Sequence, residues 1–325
     1  MRVLITGGAG FIGSHLAEKL LQKGDKVMVI DDLSTGNIEN ISYLRINPSF
    51  SFAIETIENE NVMDRLISEC DVIYHLAAAV GVELIIKDPV HVIETNVLGT
   101  GIVLRTAQRY SKKVLIASTS EIYGKGVNES FREDDDRLLG SITHSRWSYA
   151  CSKTLDEFLA LAFYKQKHLP VTIARLFNTI GPRQTGHYGM VVPRFVKQAL
   201  MGQPVTVYED GLQSRCFCNV NDVADALMLL ANSPEADGQV FNIGSTEEIT
   251  ILDLAKRIIA LTESSSVIKH IPYVDAYEKG FEDMRRRKPN IGKINKLFKW
   301  APRHSLDDTL KSVIKYEKER IKRSA

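Results

Sequence analysis

Short apolar runs alternate with stretches of helical spacing through the first half of the chain. Arg2–Thr6 (RVLIT), Lys26–Asp31 (KVMVID), Asp71–His75 (DVIYH) and Lys113–Ser118 (KVLIAS) are brief, rich in Val and Ile, and lack clean polar–apolar alternation. They therefore read as strands covered on both faces. Between them, Phe11–Gln22 and roughly Pro89–Tyr110 carry apolar residues at helical spacing. Strands and helices in alternation, joined by right-handed crossovers, predict an α/β chain with a Rossmann-type doubly wound parallel sheet. The pattern continues through a helix after Tyr149 and a strand at Val171–Arg175, then loosens. Gly181–Gly189 (GPRQTGHYG) is loop-rich, Asp222–Leu230 and Leu252–Leu261 look helical, and Gly238–Gly244 (GQVFNIG) reads as one more strand. The expected division is a cofactor domain over residues 1–180 and a smaller, mainly helical substrate lobe over 181–325. The chain is expected to return to the sheet near residues 215–245.

Composition adds little to this picture but excludes several alternatives. The 325 residues are 44% hydrophobic and 25% charged, enough for a substantial core. A formal charge of +1 argues for neither nucleic acid nor an anionic membrane as partner. No apolar run approaches the ~20 residues that span a bilayer, and Met1–Thr6 runs straight into a glycine-rich turn, so no leader is expected. Of the four cysteines, Cys70, Cys151, Cys216 and Cys218, only the last two are close. Cys-x-Cys without nearby histidines lacks zinc-site spacing, so no metal is expected. Buried reduced thiols and a cytoplasmic location are the expectation. The acidic run Glu133–Asp136 reads as a solvated loop, and the basic tail from Lys315 as the outer side of a last helix.

Chemistry first shows at the end of the first strand. Gly7, Gly10 and Gly13 form GxxGxxG where the strand turns into the first helix. A side chain there would block both the tight turn and the approach of backbone N–H groups to a pyrophosphate, and the helix N-terminus favours the same anion. A lone glycine triplet is weak evidence; the strand before it and the helix after it supply the required context. Phe11 and Ile12 lie within this turn. The second strand ends on Asp31 and Asp32, whose carboxylates suit ribose hydroxyls and repel a 2′-phosphate, which favours NAD over NADP. Asp31 as a plain turn cap is the bland alternative.

Tyr149-Ala150-Cys151-Ser152-Lys153 is a YxxxK pair. On a helix its two functional side chains share one face, so an ammonium beside the phenol can lower the tyrosine pKa toward a usable base. Chance alone yields roughly one such pair in a chain this long. Its weight comes from its position and from Ser118-Thr119-Ser120-Glu121-Ile122-Tyr123-Gly124 upstream, which puts a hydroxyl at a strand's carboxyl end.

By these motifs, the chain resembles the extended short-chain dehydrogenase/reductase family, in its nucleotide-sugar branch. The likeness runs through TGGAGFIG (6–13), DDLSTG (31–36), HLAA (75–78), NVLGT (96–100), STSEIYG (118–124), YACSK (149–153) and RLFNTIGPR (175–183). The resemblance implies an NAD-binding Rossmann domain over 1–180 and a nucleotide-sugar-binding lobe over 181–325. It implies Thr119, Tyr149 and Lys153 as catalytic hydroxyl, base and lysine, and adds Leu76, Ala77 and Asn96 to the cofactor residues. Ser120, Asn178 and Arg215 would touch the substrate, with Val192 and Tyr208 near the nucleotide base. Tyr149 would take the proton of the sugar 4-hydroxyl while hydride passes to NAD, leaving a 4-keto sugar. Relatives pair their two long helices as a four-helix bundle, which implies a homodimer.

Three reactions on such a sugar stay open. A 4-epimerase has no use for a further acid or base at C5, whereas UDP-glucuronate decarboxylases and 4,6-dehydratases carry a glutamate at the position of Glu121. Arg146, three residues before Tyr149, and Arg287, in Arg285-Arg286-Arg287-Lys288-Pro289, lie in stretches that resemble UDP-glucuronate decarboxylases. A guanidinium fork suits a carboxylate or a diphosphate. Loss of CO2 from a 4-keto uronate is inherently easy, because the carbonyl takes the electrons. Against this, DDLSTG is closer to galactose 4-epimerases, and Glu83 in Val80-Gly81-Val82-Glu83 would repel a carboxylate if it faced the sugar. UDP-glucuronate decarboxylation is the favoured expectation, ahead of epimerisation and dehydration. A dinucleotide sensor without chemistry is disfavoured by the intact Tyr–Lys pair.

Overall fold

The computed structural model describes residues 1–126, 128–186, 190–276 and 284–324; the side chains at 82, 83, 86, 274, 276 and 324 lie outside that description. Thus the expectation for Glu83, the end of the GPRQTGHYG loop and the 277–283 stretch fall outside the described residues.

A seven-stranded parallel sheet forms the centre. Its strands are β1 (Arg2–Thr6), β2 (Lys26–Asp31), β3 (Phe50–Ile54), β4 (Val72–His75), β5 (Lys113–Thr119), β6 (Val171–Leu176) and the strand Gln239–Ile243. In space they run β3-β2-β1-β4-β5-β6 and then Gln239–Ile243, every pairing parallel. The order reverses between β1 and β4, which opens a crevice at the carboxyl ends of these strands. Side chains of β1 show why the sheet needs cover on both faces. Val3 and Ile5 pack with Leu16 and Leu20 of α1 (Phe11–Gln22) and with Val223 and Leu227 of the helix Val220–Ala231. Leu4 faces the other way, into Met63 and Leu66 of α2 (Glu60–Glu69), Val103 and Leu104 of α4 (Pro89–Arg109) and Ala160 of α5 (Arg146–Lys167). Each such aliphatic side chain, once buried, contributes about 1.5–3 kcal/mol. Between β4 and α4 lies the short helix α3 (Val82–Lys87).

The strand Gln239–Ile243 returns the chain to the sheet beside β6, at the far end of the region where that return was expected. The edge strand β3 was not foreseen. It pairs only with β2, and of its five residues only Phe50 is buried, so its sequence carries no double-sided apolar signal. The part after Ile180 is less purely helical than expected. It contains a three-stranded sheet, in which Ser214–Cys216 lies between Glu248–Thr250 and Arg286–Arg287, and a parallel pair of Val205–Tyr208 with Ile268–Ile271. The helices Val191–Leu200, Ile251–Thr262 and Leu306–Ser324 pack there around Phe195, Leu254, Ile258 and Leu310.

Two local expectations are corrected. Glu133 is no solvated loop residue: it is buried, its carboxylate accepts from Asn242 N at 2.9 Å, and its carbonyl accepts from Arg175 Nη1 at 2.7 Å. An anchoring role requires one buried acceptor, and the acidic run hid it among exposed neighbours. Cys151 is exposed, unlike the other three free thiols, because it lies on the outward side of α5. No described helix is long and apolar enough to cross a membrane, and the described residues hold no cluster of three metal-ligating side chains.

At the end of β4, His75 is buried between two hydroxyls, with Nδ1 2.8 Å from Thr6 Oγ1 and Nε2 3.0 Å from Thr100 Oγ1. Burial, helped by the charge of Lys153, lowers its pKa from 6.5 to about 3. An unfolded histidine protonates near 6.5, so unfolding takes up a proton between these two values. Stability contributed by the neutral ring is therefore lost as pH falls through that window, at up to about 1.4 kcal/mol per pH unit. His75→Gln should flatten the fall of the urea midpoint across this window relative to the wild-type chain. Parallel curves for the two proteins would contradict the burial of a neutral ring.

Candidate active site

The cleft at the strand ends has a volume of about 560 Å³ and is walled by both the sheet edge and the part of the chain after Ile180. Its floor starts at the β1–α1 turn. Gly7 has φ +69°, and a Cβ there would lie 2.8 Å from Ala77 N; a Cβ on Gly13 would lie 2.3 Å from the Gly7 carbonyl oxygen. Both clashes are with backbone, so the turn cannot give way. Gly10 caps α1 without a side chain, which leaves the first-turn N–H groups pointing at the cleft. Phe11 and Ile12 line it as well.

Asp31 closes this floor from β2. Its Oδ2 accepts from Ala9 N at 2.9 Å and its Oδ1 from Leu33 N at 2.9 Å. Burial raises its carboxyl pKa, against the pull of these hydrogen bonds. Asp32 also lines the cleft, with Oδ1 accepting from Ser34 N and Ser34 Oγ at 2.9 and 2.6 Å. Leu76 and Ala77 continue the wall, Ala77 N donating to Thr6 Oγ1 at 3.2 Å. Asn96 sits behind that wall and not on it. Its amide grips Ala79 N (2.9 Å) and Ala79 O (3.3 Å) and donates to Ser152 Oγ at 3.2 Å. It thus locks the loop after β4 to α5. The residues that follow β3, Glu55, Thr56 and Ile57, line the cleft too, as do His91 and Thr95 of α4. They went unseen because β3 itself did; in this strand order, the residues after β3 are where a further wall must come from.

Thr119 ends β5, and Tyr149 stands opposite on α5. The Thr119 hydroxyl accepts from Glu121 N at 3.1 Å and hydrogen-bonds the Tyr149 phenol. Burial pushes the phenol pKa well above its ordinary value, and the negative charge of Glu121 adds to this; the Thr119 hydrogen bond and Arg287 act in the opposite sense. Lys153, one turn on along α5, is buried and bonded to Asp156. It does not form part of the cleft wall.

Glu121 organises the other end, with Ser120 beside it on the wall. One carboxylate oxygen is held by Arg287 Nη1, and the other accepts from Arg146 Nη2 at 3.3 Å. Arg287 Nη2 also donates to Asn178 Oδ1 at 2.8 Å, and Asn178 Nδ2 to the Cys216 carbonyl at 3.1 Å. Arg215 is the register partner of Arg287 on the neighbouring strand and is held by the Ser214 and Met284 carbonyls, each at 2.8 Å. Burial alone would raise the Glu121 carboxyl, but Arg287 and Arg146 outweigh it and hold the pKa at about 2. Glu121 is therefore a fixed anion and a feeble base. Within the basic run, Arg285 pairs with Asp210 and Arg286 with Glu248 at the surface, while Arg287 alone turns inward, its Nε buried without a partner among the described residues.

Farther along the cleft, Val192 and Tyr208 line the wall. The Arg194 guanidinium lies 4.3 Å from the centre of the Tyr208 ring, and Tyr273 packs against that ring at 6.3 Å. Arg194 and Tyr273 were not anticipated; the alternation of Val191–Leu200 shows an amphipathic helix but not which polar residue would reach the cleft. The structure thus gathers the residues expected from sequence around one cavity, save Lys153, buried on α5, and Asn96, which braces the Ala79 loop from behind.

Known proteins match this chain end to end. The family model described as GDP-mannose 4,6 dehydratase matches residues 4–313. The chain is 43% identical to the UDP-N-acetyl-alpha-D-glucosaminuronate decarboxylase of Bacillus cytotoxicus, covering 98% of each chain. It is 36% identical to UDP-glucuronic acid decarboxylase 1 of Arabidopsis thaliana, covering 99% of this chain and 71% of that one. Among solved structures, UDP-glucuronic acid 4-epimerase from Bacillus cereus, in complex with UDP-glucuronic acid and NAD, superposes with a TM-score of 0.89 at 29% identity, covering 98% of this chain and 100% of that one. The chain belongs to the GDP-mannose 4,6 dehydratase family, within the extended short-chain dehydrogenases/reductases, and is an enzyme of that family.

Proposed function

We propose that this chain is an NAD-dependent decarboxylase of UDP-linked uronic acids that works through a 4-keto sugar, with UDP-glucuronate as the first substrate to test. The observation that carries this reading is the Glu121 clamp. Three guanidinium groups, Arg146, Arg215 and Arg287, surround one carboxylate, so the cluster keeps a net positive charge for an anionic substrate. A 4,6-dehydratase would need a base at C5, and a carboxylate held at about 2 serves that poorly. A 4-epimerase of UDP-glucose has no sugar carboxylate for such a cluster to hold and no use for a further acid or base at C5. The kinship with two decarboxylases points the same way.

The cleft fits NAD. The Gly7–Gly13 turn and the bare N-terminus of α1 offer backbone donors to a pyrophosphate, and Asp31 faces the ribose position. The cleft arginines are Arg146, Arg194, Arg215 and Arg287, none of them in the Asp31–Thr35 segment, so no guanidinium waits there for a 2′-phosphate among the described residues. When bound, NAD supplies the two-electron acceptor, and later donor, for the sugar C4–H. Tyr149 takes the C4 hydroxyl proton, with Thr119 fixing the phenol. Its use as a base depends on positive charge nearby, which Lys153 provides. The resulting carbonyl is β to the C6 carboxylate, so the C5–C6 bond breaks with its electron pair moving toward the C4 oxygen, and the enolate so formed takes a proton at C5 before C4 is reduced. Arg287 and Arg146 orient the departing carboxylate, and Asn178 and Arg215 flank the diphosphate. Tyr208, Val192 and Arg194 border the nucleotide base. The dinucleotide would occupy residues 1–180 and the nucleotide sugar the lobe over 181–325.

A second substrate is favoured by one observation. The Bacillus cytotoxicus relative, at 43% identity, is named for a 2-acetamido uronate, so this chain would also accept that sugar. We further propose a cytoplasmic homodimer. Val90, Ile93 and Leu98 on α4 and Leu155 and Phe158 on α5 are exposed, on two helices that pack side by side. Unpaired thiols suit the reducing cytoplasm.

Incubated with NAD, UDP-glucuronate and UDP-N-acetylglucosaminuronate should each lose the mass of CO2, and UDP-glucose should be returned unchanged in mass. Tyr149→Phe should lower that turnover at least about a hundredfold with NAD affinity nearly unchanged. From the two uronates, a product of unchanged mass, or one lighter by water, would refute decarboxylation. For the dimer, Phe158→Glu should halve the mass seen in sedimentation; a wild-type monomer at micromolar concentration would dispose of the interface.

A further inference from the structure

Tyr149, Lys153 and Asp156 fall at i, i+4 and i+7 of α5 and so lie along one face of the helix. Lys153 Nζ donates to Asp156 Oδ2 at 2.9 Å, and the two side chains are 2% and 0% exposed. The second oxygen of Asp156, Oδ1, is buried with no hydrogen-bond partner among the described residues. Stability does not account for this arrangement. A buried ion pair is commonly no more stable than apolar side chains of the same volume, and an unsatisfied carboxylate oxygen makes it less so. What the pair does accomplish is local: it fixes where the ammonium sits relative to the phenol.

We propose that Asp156 is a positioning residue for the Tyr149–Lys153 pair, anchoring the ammonium next to the phenol and offsetting part of its charge there. The inference rests on Tyr149 being the base, as proposed above. Other charged groups around the phenol come from different elements and are already engaged. Glu121, after β5, is held by Arg287 and Arg146. His75 on β4 is neutral and feels the Lys153 charge. Glu157, the next residue on α5, is taken by Arg175 and Ser118. Asp156 is thus the counter-charge committed to Lys153, and the phenol senses it along with Glu121.

Removing that negative charge should make the phenol ionise at lower pH. Seven residues of helix separate the two side chains by about 10 Å. A unit charge at that distance, in surroundings of effective dielectric about 20, moves a titration midpoint by about one pH unit.

The test uses the full chain, labelled with [13Cζ]tyrosine and saturated with NAD, in wild-type, Asp156→Asn and Asp156→Glu forms. Tyr149→Phe identifies the Tyr149 resonance by its loss. The midpoint of that resonance should fall by about one pH unit in Asp156→Asn and stay near the wild-type value in Asp156→Glu. Equal midpoints in wild type and Asp156→Asn, a rise, or no ionisation of Tyr149 in either up to the alkaline limit of folding would overturn the proposal. Should the circular dichroism of Asp156→Asn show an unfolded chain, the smaller neutral Asp156→Ser takes its place. Failure of the underlying reading shows separately: NAD would leave the Tyr149 resonance unmoved, and Tyr149→Phe would keep its turnover.

Discussion

The registration of α5 against the carboxyl end of β5 is the constraint on which the site depends, and one buried ion pair sets it. Arg175 of β6 donates from Nε and Nη2 to the two oxygens of Glu157 on α5, at 2.9 and 2.8 Å. Ser118, the residue before Thr119, donates to the same carboxylate at 2.6 Å. The remaining Arg175 nitrogen reaches the Tyr123 hydroxyl and the Glu133 carbonyl, and Tyr123 passes the chain of bonds to Asn242 on the last strand. Two adjacent strands, the long helix and the loop from Phe131 are thereby fixed to one another. Such a pair adds little stability compared with apolar packing, yet loss of Glu157 would leave the buried Arg175 guanidinium without its counter-charge at a cost of about 3–5 kcal/mol; Glu157 itself has a second cation in Arg137, whose Nη2 donates to it at 3.1 Å. The pair's consequence is geometric. With Glu157 held to Ser118, Tyr149 two turns earlier has no choice but to stand beside Thr119.

Charge is then distributed around that fixed point. Every ionisable group near the phenol is committed to a partner: Glu121 to two arginines, Lys153 to Asp156, and Glu157 to Arg175. In the proposed reaction, oxidation at C4 asks of this protein a tunable phenol beside a bound hydride acceptor, and loss of CO2 asks that the carboxylate be held. A pinned Glu121 would serve the second need by holding the arginines in place.

Much of this was legible in the residues. The buried strands announced themselves by double-sided apolar runs, and GxxGxxG and YxxxK acquired meaning from the strands beside them. What stayed hidden shares a physical cause. The strand β3 is half exposed and so lacks the apolar signal, and with it went Glu55, Thr56 and Ile57. Glu133 and Asp156 are single buried carboxylates within acidic or mixed stretches, where composition suggests solvent. Asn96 was expected at the cofactor but braces the loop behind it, because a motif reports that a residue matters without reporting which way its side chain turns. The inward turn of Arg287 after two outward arginines is likewise a product of strand pairing, which the run RRRKP alone does not reveal.

The central claim is that a sugar hydrogen leaves C4 as hydride before CO2 departs. UDP-glucuronate deuterated at C4 tests it most directly, with the reaction quenched during the first turnover and the nucleotide recovered from the protein. Deuterium should be found on the nicotinamide ring of the reduced cofactor at that stage. Release of CO2 with the label still entirely on the sugar, and none on the cofactor at any time, would contradict the account.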